Sequence, residues 1–329
     1  MRRRDILALP GAATVAWLLA ARAQPADRIR RIGVLMALVG DDPQGHAQVA
    51  TFRQALQDRG WIEGRNLRMD VRWGGGDAER NRRFAAELVA LAPDIILAGS
   101  GQVVAALQKE TRTVPIVFTV AIDPVALGFV ESISRPGGNT TGFINIEYSF
   151  SGKWLELLKQ IAPGVTRVAV IRDAAVASGE AQLAAIRSAA LEFGVELSIV
   201  DVRDGDRMEH ALTAFAREGN GGLIVTASIF ANSHRGLIIA LAARNRLPAV
   251  YPNPIFVTDG GLVSYGAVLL DQFSRAAEYV DRILKGAKAG DLPVQAPVRF
   301  ETVLNLRTAK ALGLDVPRIV LSRADRVID

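Results

Sequence analysis

The chain has 329 residues, half of them hydrophobic, 22% charged and 6% aromatic, with a formal net charge of +5. That length and balance fit a globular α/β protein of two ordinary domains. It contains no cysteine, which excludes disulfides, thiolate catalysis, Cys-ligated metals and a lipid-modified N-terminal cysteine. The positive charge is concentrated at the start: Arg2, Arg3, Arg4 and Arg22 oppose only Asp5, so residues 1–23 hold +3 of the +5. What remains gives no basic stripe, and no nucleic-acid partner is expected.

The first 23 residues read as an export signal. Arg2-Arg3-Arg4 is a basic n-region and Ile6 to Ala20 is mostly apolar. Ala21-Arg22-Ala23 is a small-x-small cleavage pattern that predicts cleavage after Ala23. Arg3-Arg4-Asp5-Ile6-Leu7 also approximates a twin-arginine signal. The alternative is a single membrane anchor, but the apolar run is short and interrupted by Pro10-Gly11.

A first βα series follows. Arg31 to Met36 is a continuous apolar run of the kind buried on both faces of a parallel sheet. Val49, Phe52, Ala55 and Leu56 recur at helical spacing up to Gly60, and Leu67 to Trp73 alternates like an outer strand. After Gly74-Gly75-Gly76, a helix carries Phe84, Leu88 and Leu91. Asp94 to Ala98 is the next strand, Gly99-Ser100-Gly101 turns into a helix with Val104 and Leu107, and Pro115 to Thr119 is another strand. The chain then breaks at Asp123-Pro124, passes through a short apolar helix, and turns at Arg135 to Asn139.

A second series starts with Trp154, Leu157, Leu158 and Ile161 on one helical face. Strands are expected at Arg167–Ile171, Val195–Val200, Leu223–Thr226 and Leu247–Tyr251. Helices lie between them, the last spanning Asn232 to Arg246. Leu262 to Gly266 reads as an extended crossing. It is followed by a helix with Phe273, Ala277, Val280 and Leu284, an open linker from Asp291 to Val298, a strand from Arg299 to Leu306 and a short helix. Repeated strand–helix alternation predicts α/β lobes with doubly wound parallel sheets.

Chemistry-bearing motifs are sparse. The turn after the first strand lacks G-x-G-x-x-G, and neither a P-loop nor a G-x-S-x-G elbow occurs. His46, His210 and His234 are scattered and show no metal-ligand spacing. No metal and no cofactor is expected, and the chain reads as a binder in preference to an enzyme. Gly99-Ser100-Gly101 offers backbone N–H groups to an anion, or Ser100 simply caps the next helix. Asp123 and Asp173, at strand ends, read equally as general bases, partners of a ligand charge, or helix caps.

Three stretches carry a family resemblance: the export signal, the run Asp123-Pro124-Val125 to Thr141-Gly142, and the tail Phe300-Glu301-Thr302-Val303-Leu304-Asn305 to Gly313-Leu314. With these the chain resembles the periplasmic substrate-binding proteins of ABC importers, of type I architecture, near the tryptophan-binding components. Those relatives in Gram-positive bacteria are lipoproteins, whereas this chain has no cysteine. The resemblance implies two Rossmann-like lobes joined by three crossings. Lobe I would hold 27–142 plus 267–290, and lobe II 143–266 plus 291–329. The crossings are expected in the stretch ending at Phe143, near Leu262–Gly266 and near Pro297–Leu306.

It further implies a periplasmic, monomeric receptor that binds a small-molecule solute, such as an amino acid, between the lobes. Hinge closure would present it to an ABC permease in the inner membrane. Feeding a membrane sensor, or an exported α/β enzyme, are the alternatives. Strand-end position nominates Ser100 and Thr119 for an anionic or carbonyl group and Asp123 or Asp173 for a cation. Asn145, Thr226, Ser228, Asn253 and Tyr265 would line the other wall.

Overall fold

A computed structural model of the chain describes residues 28–145, 148–173, 177–201 and 205–329. The expected export signal lies outside the described residues. The first series is β1 (Arg30–Met36), α1 (Pro43–Gln57), β2 (Leu67–Trp73), α2 (Ala78–Ala90), β3 (Ile95–Ala98), α3 (Gly101–Glu110), β4 (Ile116–Ala121) and β5 (Thr140–Ile144). Its five strands are all parallel, in the order β2-β1-β3-β4-β5. The continuous apolar runs explain this: Ile95, Ile96, Leu97 and Ala98 are all fully buried, as both faces of the sheet carry helices.

The second series is α4 (Gly152–Ile161), β6 (Arg167–Arg172), α5 (Ala177–Phe193), β7 (Glu196–Asp201), α6 (Gly205–Ala216), β8 (Gly221–Val225), α7 (Ile229–Ser233), α8 (Arg235–Arg244), β9 (Ala249–Tyr251), α9 (Pro254–Thr258) and β10 (Val263–Ala267). These strands are again parallel, in the order β7-β6-β8-β9-β10. Counted within its own series, each sheet reads second, first, third, fourth, fifth. The two lobes are one architecture used twice, which is the type I arrangement the resemblance implies.

The chain continues through α10 (Leu269–Leu284), β11 (Phe300–Asn305), α11 (Leu306–Ala311), α12 (Arg318–Arg323) and β12 (Arg326–Ile328). Helix α10 goes back to the first sheet. Phe273, Ala276, Ala277, Val280, Ile283 and Leu284 form its apolar face and share a core with Ile32, Val34, Phe52 and Phe143. Each large side chain so buried contributes roughly 1.5–3 kcal/mol. Trp61 also donates its indole N–H to Asp281 on this helix at 2.9 Å. β11 and β12 extend the second sheet, with β11 antiparallel to β10.

Three strands of chain cross between the lobes, and they are hydrogen-bonded together. In the first crossing Ile144 N donates to Gln295 O at 3.0 Å, and Gln295 N donates to Gly142 O at 3.0 Å. Val268 of the second crossing donates to Arg299 O at 3.0 Å. The third crossing therefore lies between the other two. The first and second crossings leave from the carboxyl ends of β5 and β10, so both sheets direct their carboxyl ends toward the hinge.

Several expectations change. Residues 124–130 form a turn and not a helix, closed by Phe129 N to Pro124 O at 2.8 Å, with Gly128 at φ 70°. The single helix expected over Asn232–Arg246 is two helices meeting at His234. Leu262–Gly266 mostly belongs to strand β10, so the second crossing falls later, at Ala267–Leu269. The third falls earlier than Pro297, since Gln295 already pairs with the first. β5, α12 and β12 were not foreseen.

Candidate functional site

The first lobe gathers four of the nominated residues at its strand ends, and Asn145, expected on the other wall, is one of them because its N–H bonds to Ala121 O at the end of β4. Ser100 follows β3 and caps α3, its Oγ accepting from Val103 N at 3.3 Å. Asp123 follows β4 in the left-handed region, at φ 46°, and its carboxylate accepts from Ala126 N at 3.0 Å. Asn145 lies beside it, because Asn145 N donates to Ala121 O at 3.1 Å. The Asn145 Oδ1 is buried with no protein partner. Thr119 is different: it is fully buried and its hydroxyl points to Ala98 O at 3.5 Å. It braces β4 against β3 and does not face solvent.

The second lobe gathers the other five. Ser228 follows β8 and caps α7, accepting from Ala231 N at 3.0 Å. Asn253 follows β9, at the start of α9, where its side chain makes no cap bond. Instead Asn253 Nδ2 donates to Asn232 Oδ1 at 3.1 Å, while Asn253 Oδ1 is buried without a protein partner. Tyr265 and Gly266 pass beside it. A Cβ on Gly266 would sit 2.0 Å from Pro252 O, so only glycine lets β10 approach this closely. Thr226 repeats Thr119: it is buried, and its hydroxyl donates to Ile171 O at 2.9 Å. Asp173 lies at the end of β6, two residues beyond Ile171.

Tyr265 stacks on Phe300 with centroids 5.6 Å apart, and Phe150 leans on the same pair. Its backbone carbonyl accepts the Trp154 indole N–H at 2.8 Å. Burial pushes the Tyr265 phenol up, Lys153 pulls it down, and Asp325 and Glu156 add to the rise. The phenol is therefore neutral at ordinary pH and can both donate and accept.

The two walls match in kind. The third strand of each sheet is followed by a serine that caps the next helix, Ser100 in one lobe and Ser228 in the other. The fourth strand of each is followed by an Asx-Pro pair, Asp123-Pro124 and Asn253-Pro254. Polar and acidic side chains at strand ends, with helix N-termini behind Ser100 and Ser228, suit a small polar or zwitterionic solute.

The strand-end rule missed other residues here. Asp42 caps α1, accepting from Gln44 N at 2.8 Å and Gly45 N at 3.0 Å; the Asp42-Pro43 pair was a visible sign of it. Trp73 ends β2 against Gly40, Gly45 and His46, with the His46 and Trp73 ring centroids 5.1 Å apart. On the second wall Phe230 stacks on His234 with centroids 3.9 Å apart. At the start of α2, after β2, an open groove of about 510 Å³ runs over Asp77, Glu79, Arg80, Arg82 and Arg83. Its walls are charged side chains, not the apolar lining that buries an organic solute. Among the described residues no group of His, Cys, Asp and Glu is placed to hold a metal, and no helix is long and apolar enough to cross a membrane.

Comparison with known proteins bears on the same features. A family profile described as "ABC transporter substrate binding protein" matches residues 31–328. A tyrosine-binding protein of Clostridioides difficile is 26% identical over 263 residues, 80% of this chain and 75% of that protein. A conserved domain protein from Vibrio cholerae superposes with TM-score 0.77 at 26% identity, covering 91% of this chain and all of that one. A Streptococcus pneumoniae ABC domain solved with L-Trp superposes with TM-score 0.78 at 22% identity, covering 91% of this chain and 99% of that one.

Proposed function

Since the chain belongs to the family of ABC transporter substrate binding proteins, we propose that it is the extracytoplasmic receptor of an importer, holding one amino acid between its lobes. The observation that carries this is the matched pair of walls: Ser100 with Asp123, and Ser228 with Asn253, at equivalent strand ends of two sheets that both point at the hinge. The helix N-terminus behind Ser100 takes the solute carboxylate, and Asp123 or Asp173 its ammonium group. Asn145, Ser228, Asn253 and Tyr265 complete the polar lining, with Thr119 and Thr226 holding the strand ends in place. The Tyr-binding and Trp-bound relatives make aromatic amino acids the first solutes to test.

On this reading lobe I comprises 27–142 with 267–290, extended by 143–145 and 291–294, which pair with or pack on the first sheet. Lobe II holds the remainder of 143–266 and 291–329. Residues 1–23 direct export and are removed, and the mature protein is a periplasmic monomer. Closure of the lobes excludes water from the solute's polar contacts and strengthens them, and the closed form is what the membrane permease recognises. The protein carries its solute unchanged and catalyses nothing.

The test is a thermal-melt series of the mature chain with each of the twenty amino acids, together with mass spectrometry of any solute released from the purified protein. A solute at a hundred times its Kd adds about 2.7 kcal/mol of stability, and a chain of this size gains about 2 °C for each kcal/mol. A rise of about 5 °C with L-tyrosine or L-tryptophan is expected. No rise with any amino acid and no released solute would refute the reading.

A further inference from the structure

Strand β4 carries one residue too many for its partner. Ile116, Val117 and Phe118 pair in step with Thr140, Thr141 and Gly142, but Ala121 then pairs with Ile144. The extra residue is taken up around Thr119 and Val120, and Val120 sits at φ 55°. A β-branched residue in the left-handed region is a true outlier, since its side chain crowds its own backbone. Something must hold it there.

The hold comes from 152 residues away. Val120 N donates to Gln272 Oε1 at 3.1 Å. Gln272 is in the first turn of α10, is 1% exposed, and follows the second crossing by four residues from Val268. Its Nε2 is buried with no protein partner, so its place is set by the bond from Val120 and by packing. Directly after the bulge come Ala121 and Asp123, whose positions on the first wall depend on how β4 ends.

We propose that Gln272 is a positioning residue for solute binding. It fixes the bulge of β4 with Val120 in the left-handed conformation, and so sets where Ala121, Asp123 and the neighbouring Asn145 present their polar groups. This rests on the reading that the strand ends bind the solute. Because Gln272 stands just beyond a crossing, the hinge and the first wall share one support.

The test compares the intact chain with Gln272→Ala, Val120→Gly and the double variant. L-tyrosine affinity is measured by calorimetry, melting without solute is recorded, and amide hydrogen exchange is followed over Phe118–Ile122. Gln272→Ala should weaken L-tyrosine binding about tenfold, roughly one net hydrogen bond. It should also speed exchange of those amides about tenfold in solute-free protein while leaving Ile95–Ala98 unchanged. Glycine adopts φ 55° without crowding. Adding Val120→Gly should therefore bring affinity back to within about threefold of wild type, although the melting temperature stays low. A purely structural glutamine would give no such recovery. Unchanged exchange in Gln272→Ala, or a double variant as weak as the single one, overturns the proposal. If wild type fails to bind L-tyrosine, the aromatic amino-acid reading fails, and the exchange result alone decides the role of Gln272.

Discussion

Arg275 ties all three crossings together, and removing it should loosen the hinge. Its guanidinium donates to Ala296 O at 3.2 Å and to Gln295 Oε1, both in the third crossing. It lies 5.1 Å over the Phe143 ring of the first crossing. It also pairs with Asp271 at 3.8 Å, just after the second. The Arg275 side chain is 21% exposed and that of Asp271 15%, so water screens these contacts only in part. Two charge-assisted hydrogen bonds at about 1.5 kcal/mol each and a cation–π contact of about 0.5–1 kcal/mol make roughly 3–4 kcal/mol. Water entering the gap recovers some of that, and about 3 kcal/mol remains for Arg275→Ala. At about 2 °C per kcal/mol the melting temperature falls by about 6 °C. Arg275→Lys keeps the charge but not the planar fork, and should lose about half as much. Urea unfolding and thermal melts measure both variants. A loss below about 0.5 kcal/mol for Arg275→Ala would show that the crossings hold without this clamp.

Three further outcomes follow from single residues. Burial raises Asp70, but its bond to Arg31 at 2.7 Å and the charges of Arg31, Arg68 and Arg72 outweigh burial and hold it below 3.8. A depressed carboxylate stabilises the fold above its unfolded value and loses that contribution as pH falls through its folded value. Asp70→Asn should therefore lower stability at pH 7 and flatten the acid limb below about pH 4, as urea midpoints across pH would record. Tyr251 is fully buried, and burial alone pushes its phenol far up. Its contribution is present below about pH 10 and lost above it, so Tyr251→Phe should move the alkaline unfolding midpoint upward. Gly142 sits at φ 156°, and a Cβ there would lie 2.1 Å from Phe118 O. Gly142→Ala must push the first crossing off β4, costing about 3 kcal/mol or failing to fold; soluble yield and melting read this directly.

How much was legible in the sequence depended on the range of the interaction. Ile32 to Met36 and Ile95 to Ala98 announce themselves because both faces of a parallel strand are buried, so no alternation is needed to find them. Strand β5 was hidden because Thr140-Thr141-Gly142 reads as a turn's end. What makes it a strand is the close approach to Phe118 that only Gly142 permits. The turn at Asp123 looked helical because Val125, Ala126, Leu127 and Phe129 are apolar. In the fold Val125 and Leu127 are instead exposed.

For the site, strand-end position found the right places but not the direction of each side chain. Thr119 and Thr226 turn inward to carbonyls of neighbouring strands, while Ser100 and Ser228, two and three residues beyond a strand end, turn toward helix N-termini. The bond from Val120 to Gln272 had no local signal, since it joins residues of different elements across a crossing.

The central claim is that the lobes close on a solute held between the strand ends. The chain has no cysteine, so Arg112→Cys and Arg217→Cys, at exposed positions on the two lobes, can carry a pair of spin labels without competing thiols. Pulsed electron–electron resonance then reports the distance between lobes in solute-free protein and after saturation with the solute that the purified protein releases. The account predicts one distance distribution without solute and a distinct, narrower one with it, reversed when the solute is removed. Solute that binds while the distribution stays the same would contradict it.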